Sequence, residues 1–108
     1  MKKVLMSVIV AGTMVVGAQA GCASYGCSGK VKTLQITSAG NIQIGMDGVA
    51  SAMNCTPVAG AFSELELSEA GGNAIYSALL TAQTTQKPIL VRIVEGSANC
   101  KVAYVKPL

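Results

Sequence analysis

The sequence predicts a small, mainly β domain: five antiparallel strands curled into a barrel, with one helix between the third and the fourth. Three observations lead there. Stretches with an apolar residue at every second position recur between turn-forming residues, the pattern of half-buried strands. One stretch, residues 73–86, instead carries its apolar residues at helical spacing. Four cysteines, Cys22, Cys27, Cys55 and Cys100, stand in a chain of 108 residues that has no Trp and a single Phe. A core so poor in aromatic bulk needs covalent staples.

Residues 1–20 stand apart from that domain. Lys2 and Lys3 open the chain, small apolar residues run from Val4 to Ala18, and Ala18-Gln19-Ala20 supplies a small-x-small cleavage site. This is the order of a secretory signal peptide. As a helix the apolar run would reach only about 22 Å, short of the ~30 Å hydrocarbon core of a bilayer, so no membrane span is expected. A lipoprotein signal, with Cys22 acylated, is the rival reading. It would want a bulky aliphatic residue where Gln19 stands, and it would leave an odd cysteine among Cys27, Cys55 and Cys100.

Without that leader about 88 residues remain, enough for one domain. Six bases (Lys30, Lys32, Lys87, Arg92, Lys101, Lys106) face five acids (Asp47, Glu64, Glu66, Glu69, Glu95), so the net charge falls from +3 to +1. A basic surface for nucleic acid is not expected. Histidine is absent and the cysteines lack zinc spacing, so neither metal nor cofactor is expected.

Cys22 and Cys27 enclose a short Gly/Ser/Tyr loop. Four cysteines allow three connectivities; Cys22–Cys27 with Cys55–Cys100 is the expected one. The first bridge would clip a frayed N-terminus. The second would tie the middle of the chain to its last hairpin.

In residues 31–46, Leu34 and Ile36, then Ile42, Ile44 and Met46, alternate with polar or small residues across the turn Ser38-Ala39-Gly40-Asn41. They predict a hairpin. Residues 49–55 are a candidate third, short strand, and Pro57 and Gly60 argue for loop beyond it. Asn54-Cys55-Thr56 matches a glycosylation pattern, but the Pro57 that follows makes it a chance match. Residues 62–67, FSELEL, read as a strand with Leu65 and Leu67 inward. Glu64 and Glu66 then share its wet face, which explains them better than a paired acid and base would.

Ile75, Ala78, Leu79 and Ala82 fall at i, i+3, i+4 and i+7 and form the apolar face of a helix that Asn73 can cap. Tyr76 and Leu80 form a neighbouring pair. Pro88 stops the helix by disfavouring it at Lys87. Residues 89–94 are apolar on both sides apart from Arg92, as in a central strand covered twice or lying in a subunit contact. Residues 100–105 pair back, with Val102 and Tyr104 on one face, and Pro107 ends the pairing.

Strand, strand, strand, helix, strand, strand is the arrangement of the OB-fold. The residues resemble a family of small exported bacterial proteins, through Gly29-Lys30-Val31 with Leu34, Cys55, the run Tyr76-Ser77-Ala78-Leu79-Leu80-Thr81-Ala82, the strand after Pro88, and Cys100. The layout is similar to the binding subunit of subtilase-type AB5 toxins. That resemblance implies a pentamer that binds surface glycans, and a periplasmic or secreted location. It assigns no sugar-contacting residue to any position here.

The expectation is therefore a non-enzymatic exported binding module for a glycan or protein, with a structural or assembly protein of the envelope as the alternative. No serine nucleophile has a histidine base, and cysteine nucleophiles would compete with disulfide formation. Tyr25, Tyr76 and Tyr104 are the side chains most able to stack on a sugar, although helix packing accounts better for Tyr76, core or inter-strand packing better for Tyr104, and Tyr25 sits in the clipped loop at a mobile end. Arg92 is a candidate ligand or interface contact, or an arginine lying along apolar surface with its head in water.

Overall fold

A computed structural model describes residues 20–108. The signal-peptide reading covers residues 1–20, of which 1–19 lie outside the described residues. Seven strands and one main helix follow in the order β1 (Gly21–Ala23), β2 (Gly26–Gly29), β3 (Val31–Ile36), β4 (Asn41–Met46), β5 (Ser63–Glu66), α1 (Gly72–Thr85), β6 (Ile89–Ile93) and β7 (Val102–Pro107). They make two antiparallel sheets, one ordered β1-β2-β6-β7 and the other β3-β4-β5.

The mainly β class and the helix after the Leu/Glu strand follow the sequence, but seven strands form in place of five, and the helix comes between the fifth and the sixth. The five-stranded closed barrel does not form. The chain passes from the first sheet to the second at Lys30, between β2 and β3. A single parallel bridge, Glu64 with Lys101, joins the sheets across the other side. Neither junction is a continuous ladder, so two sheets face each other and no barrel closes.

The hairpin of β3 and β4 forms with Leu34 opposite Ile44 and Ile36 opposite Ile42, but Ile36 at the strand end is exposed, and Val31, beyond a register shift before Thr33, is buried. The Thr37 N–H donates to the Asn41 carbonyl at 2.9 Å to close its turn. β5 adds to β4, and Leu65 points inward while Glu64 and Glu66 stay half-buried on the other side. The candidate strand at 49–55 is replaced by a single 3-10 turn, Ala50–Ala52. Met53 then tucks its side chain inside.

The helix begins one residue before Asn73, and Gly71 occupies its N-cap with no side-chain cap bond. The reason is a close approach. Gly72 is buried, and a Cβ there would stand 2.8 Å from the Glu66 carbonyl oxygen and 2.9 Å from Leu67 Cα. Glycine therefore lets the first turn rest on the exit of β5, and packing sets the start in place of a cap. Leu79 and Ala82 are buried, with Ile75, Ala78 and Tyr76 packed around them. At the other end Gln86 takes the left-handed conformation (φ 56°) and its side-chain amide donates to the Gln83 carbonyl at 2.7 Å. Lys87 and Pro88 then lead into β6.

β6 lies between β2 and β7, as a central strand should. Ile89, Val91 and Ile93 are buried, but Leu90 and Arg92 are only half-covered and Val94 is exposed. The strand is thus covered on one face, not two. A register shift beside Arg92 and Ile93 makes Ala103 an extra residue in β7. Such a bulge reverses the alternation. Val102 and Val105 consequently pack inward, and Tyr104 turns out, away from the face it was expected to share with Val102.

The main core joins Val31, Ile42, Ile44 and Leu65 of one sheet to Ile89, Val91 and Val102 of the other, roofed by Leu79 and Ala82. A second, smaller core is rich in sulfur: Cys27, Met53, Cys100 and Ile93, with Cys22, Met46 and Cys55 at its margin. Both expected disulfides, Cys22–Cys27 and Cys55–Cys100, are present, and none of the four cysteines is free.

Candidate functional site

The segment holding Cys22 and Cys27 is not frayed. β1 and β2 form a hairpin in which Cys22 stands directly opposite Cys27, and β2 pairs with β6 from Gly29 opposite Ile89 to Gly26 opposite Arg92. The turn between them carries Tyr25. Its carbonyl accepts the Ile93 N–H at 2.9 Å, which fixes the turn to the end of β6. Gly26 is essential to that docking. Its φ is +154°, and a Cβ on it would collide with the Val91 carbonyl oxygen. Only glycine lets β2 come this close.

This placement brings together three residues that stand far apart in the sequence. The Arg92 guanidinium lies 5.5 Å from the centroid of the Tyr25 ring. Tyr104 is the direct cross-strand partner of Arg92, and Lys106 that of Leu90. Cross-strand partners share a face with Cβ atoms about 5 Å apart. Tyr25 is 39% exposed and Tyr104 47% exposed. The outer face of the first sheet therefore carries one open phenol ring against the Arg92 guanidinium and a second on the residue paired with Arg92 across the strands.

Such a surface has a definite chemistry. Stacking on Tyr25 holds the guanidinium in place, at an exposed-site strength of about 0.5–1 kcal/mol. Among the described residues the ion pairs are Lys32–Asp47 at 3.7 Å and Lys101–Glu69 at 2.8 Å, so Arg92 and Lys106 have no carboxylate partner. Arg92 keeps its planar fork of donors for an outside acceptor, and the rings offer flat apolar area beside it.

The other candidates separate cleanly. Tyr76 is half-buried against the main core and serves packing. Glu64 accepts from the Asn99 side-chain amide at 3.2 Å, and Glu66 lies two residues along the same strand face. The Glu69 carboxylate, by its hydrogen bond and its charge, raises the pKa of Lys101 above the ordinary lysine value. These acids hold the loop before β7 against β5. The sequence singled out Tyr25, Tyr104 and Arg92 one by one, but it missed their meeting and missed Lys106. The available signal was the pair of glycines beside Cys22 and Cys27, Gly21 and Gly26, which marks a tight cross-strand hairpin.

No helix among the described residues is long and apolar enough to cross a membrane. Compared with known proteins, the chain matches no family, no curated protein and no solved structure at a significant level.

Proposed function

We propose that the chain is an exported binding module, without catalytic activity, that recognises a surface glycan through the outer face of its first sheet. The observation that carries this reading is the grouping of Tyr25, Arg92 and Tyr104 on an open face, with Arg92 oriented by a ring and unpaired with acid. Aromatic faces stack on the C–H side of a sugar ring, and the guanidinium donates to its hydroxyl or carboxyl oxygens. Two disulfides suit an oxidising location, periplasmic or extracellular. The resemblance of the sequence to toxin binding subunits supports the same reading, although the two sheets do not close into a barrel.

A glycan array probed with the purified protein tests it. Binding to a defined saccharide should fall at least tenfold in both Arg92→Ala and Tyr104→Ala, the loss expected of a central interface contact. The glycan reading fails if no saccharide is retained, or if retention survives both substitutions.

A second reading, a ring-forming or envelope-assembly protein, draws on one observation. β7 is an outermost strand of its sheet, open to pairing along much of one edge. A pentamer or other closed ring in analytical ultracentrifugation would support it, and a monomer at high concentration would remove it.

A further inference from the structure

Opposite the tyrosine face, the C-terminal half of α1 does not sit flush on the sheet. Ala78, Thr81 and Thr85 present small side chains towards Pro88, Ile89 and Pro107, and a groove of about 310 Å³ remains between helix and strands. The Leu108 N–H donates to the Pro88 carbonyl at 3.2 Å and holds the two strand ends side by side as its floor. The hydroxyls of Thr81 and Thr85 are spent on the helix itself, donating to the Ser77 and Thr81 carbonyls at 2.9 and 2.8 Å. These two threonines therefore offer a guest apolar contact, with their donors already committed. Concave, mostly apolar sites of about this size are where small molecules bind.

One charged side chain distinguishes the groove. Lys87 lines it and is exposed, and neither of the two ion pairs among the described residues involves it. A lysine at the rim of an apolar groove keeps its stem on the lining and its ammonium in water. An occupant complementary to this arrangement has an alkyl body and an anionic head. At roughly 30 Å³ per water-sized group, the volume holds about ten heavy atoms. Octanoate has that size.

We propose that the groove between the C-terminal half of α1 and the paired ends of β6 and β7 binds a free medium-chain monocarboxylate, its chain between helix and strands and its carboxylate at Lys87. This site is separate from the tyrosine face and does not depend on the function proposed there.

Titration of sodium octanoate into the purified full chain, followed by amide NMR shifts, tests the proposal. Shifts should centre on Thr81, Thr85, Lys87 and Ile89, with a Kd on the order of 0.1–1 mM, the strength about ten heavy atoms allow. Lys87→Gln should weaken octanoate about twofold to fivefold, as loss of an exposed ion pair would. It should leave octanol binding unchanged, because the neutral alcohol never used the charge. Thr81→Leu, which fills the groove, should abolish both while the remaining amide spectrum stays that of the folded protein. The proposal is overturned if octanoate at 10 mM shifts none of these amides, or if Thr81→Leu leaves binding intact. It is equally overturned if phosphatidylglycerol vesicles retain the protein while octanoate does not, since the ligand would then be a lipid surface.

Discussion

Replacing Cys55 and Cys100 together by alanine removes the bridge that closes the longer loop. The two residues are 45 apart in sequence, whereas Cys22 and Cys27 are only 5 apart. On the loop-entropy argument a closed loop of that length lowers the free energy of folding by about 4 kcal/mol, and the short loop by about 2. The native side adds to the loss. Cys100 is fully buried among Cys27, Met53 and Ile93, so an alanine leaves its sulfur's space empty. A domain of about 88 residues has a total stability of roughly 4–13 kcal/mol. The substitution thus takes away a third of the stability or nearly all of it. Urea unfolding followed by circular dichroism should show the midpoint lowered by about 4 M, at a slope near 1 kcal/mol per M. The Cys22→Ala, Cys27→Ala protein should lose about half as much. A double variant at 55 and 100 that loses less than about 1 kcal/mol, or less than the variant at 22 and 27, would refute the reasoning.

Three further outcomes are expected. Leu79→Ala should cost about 3–5 kcal/mol in urea unfolding, because Leu79 is fully buried where the helix meets both sheets. Gly26→Ala should detach the β1–β2 hairpin from β6, exposing the amides of residues 26–29 to rapid hydrogen exchange while those of β4 stay protected, since its Cβ would occupy the place of the Val91 carbonyl. The Lys101 pKa is raised by Glu69, so this pair contributes stability below the unfolded lysine pKa of about 10.4 and loses it as pH rises through the folded value. Thermal unfolding between about pH 9 and 12 should show a small alkaline loss that Glu69→Gln abolishes, and an identical slope in that variant would count against the pairing.

The parts of the fold that were legible in the sequence are those where one face is apolar and the other wet. Leu34, Ile42, Ile44 and Met46, the Leu and Glu of β5 and the Ile75–Ala82 stripe each state which way their side chains point, and the structure follows them, whereas Ile36 at the end of β3 is exposed. The first hairpin was illegible because its residues, GCASYGCSG, contain almost nothing apolar to show a period. What docks it is backbone proximity at Gly26 and a hydrogen bond from Ile93, neither of which leaves an alternation. The outward turn of Tyr104 was hidden for a different reason. A bulge is a property of the pair, and nothing in residues 102–107 alone marks Ala103 as the extra one. The same two omissions concealed the candidate site, since the meeting of Tyr25 and Tyr104 around Arg92 needs both. The expected barrel does not close because β2, which the sequence does not mark as a strand, takes the place beside β6.

That neighbour relation bears on how the protein is made. β2, at Gly26–Gly29, leaves the ribosome long before β6, at Ile89–Ile93, yet its partner is β6. Until the later segment arrives, the early one has a ladder on one side only, and pairings so distant in sequence are slow to form. A nascent chain would therefore wait, incomplete and vulnerable to proteases, for residues 89–107 before the first sheet can assemble.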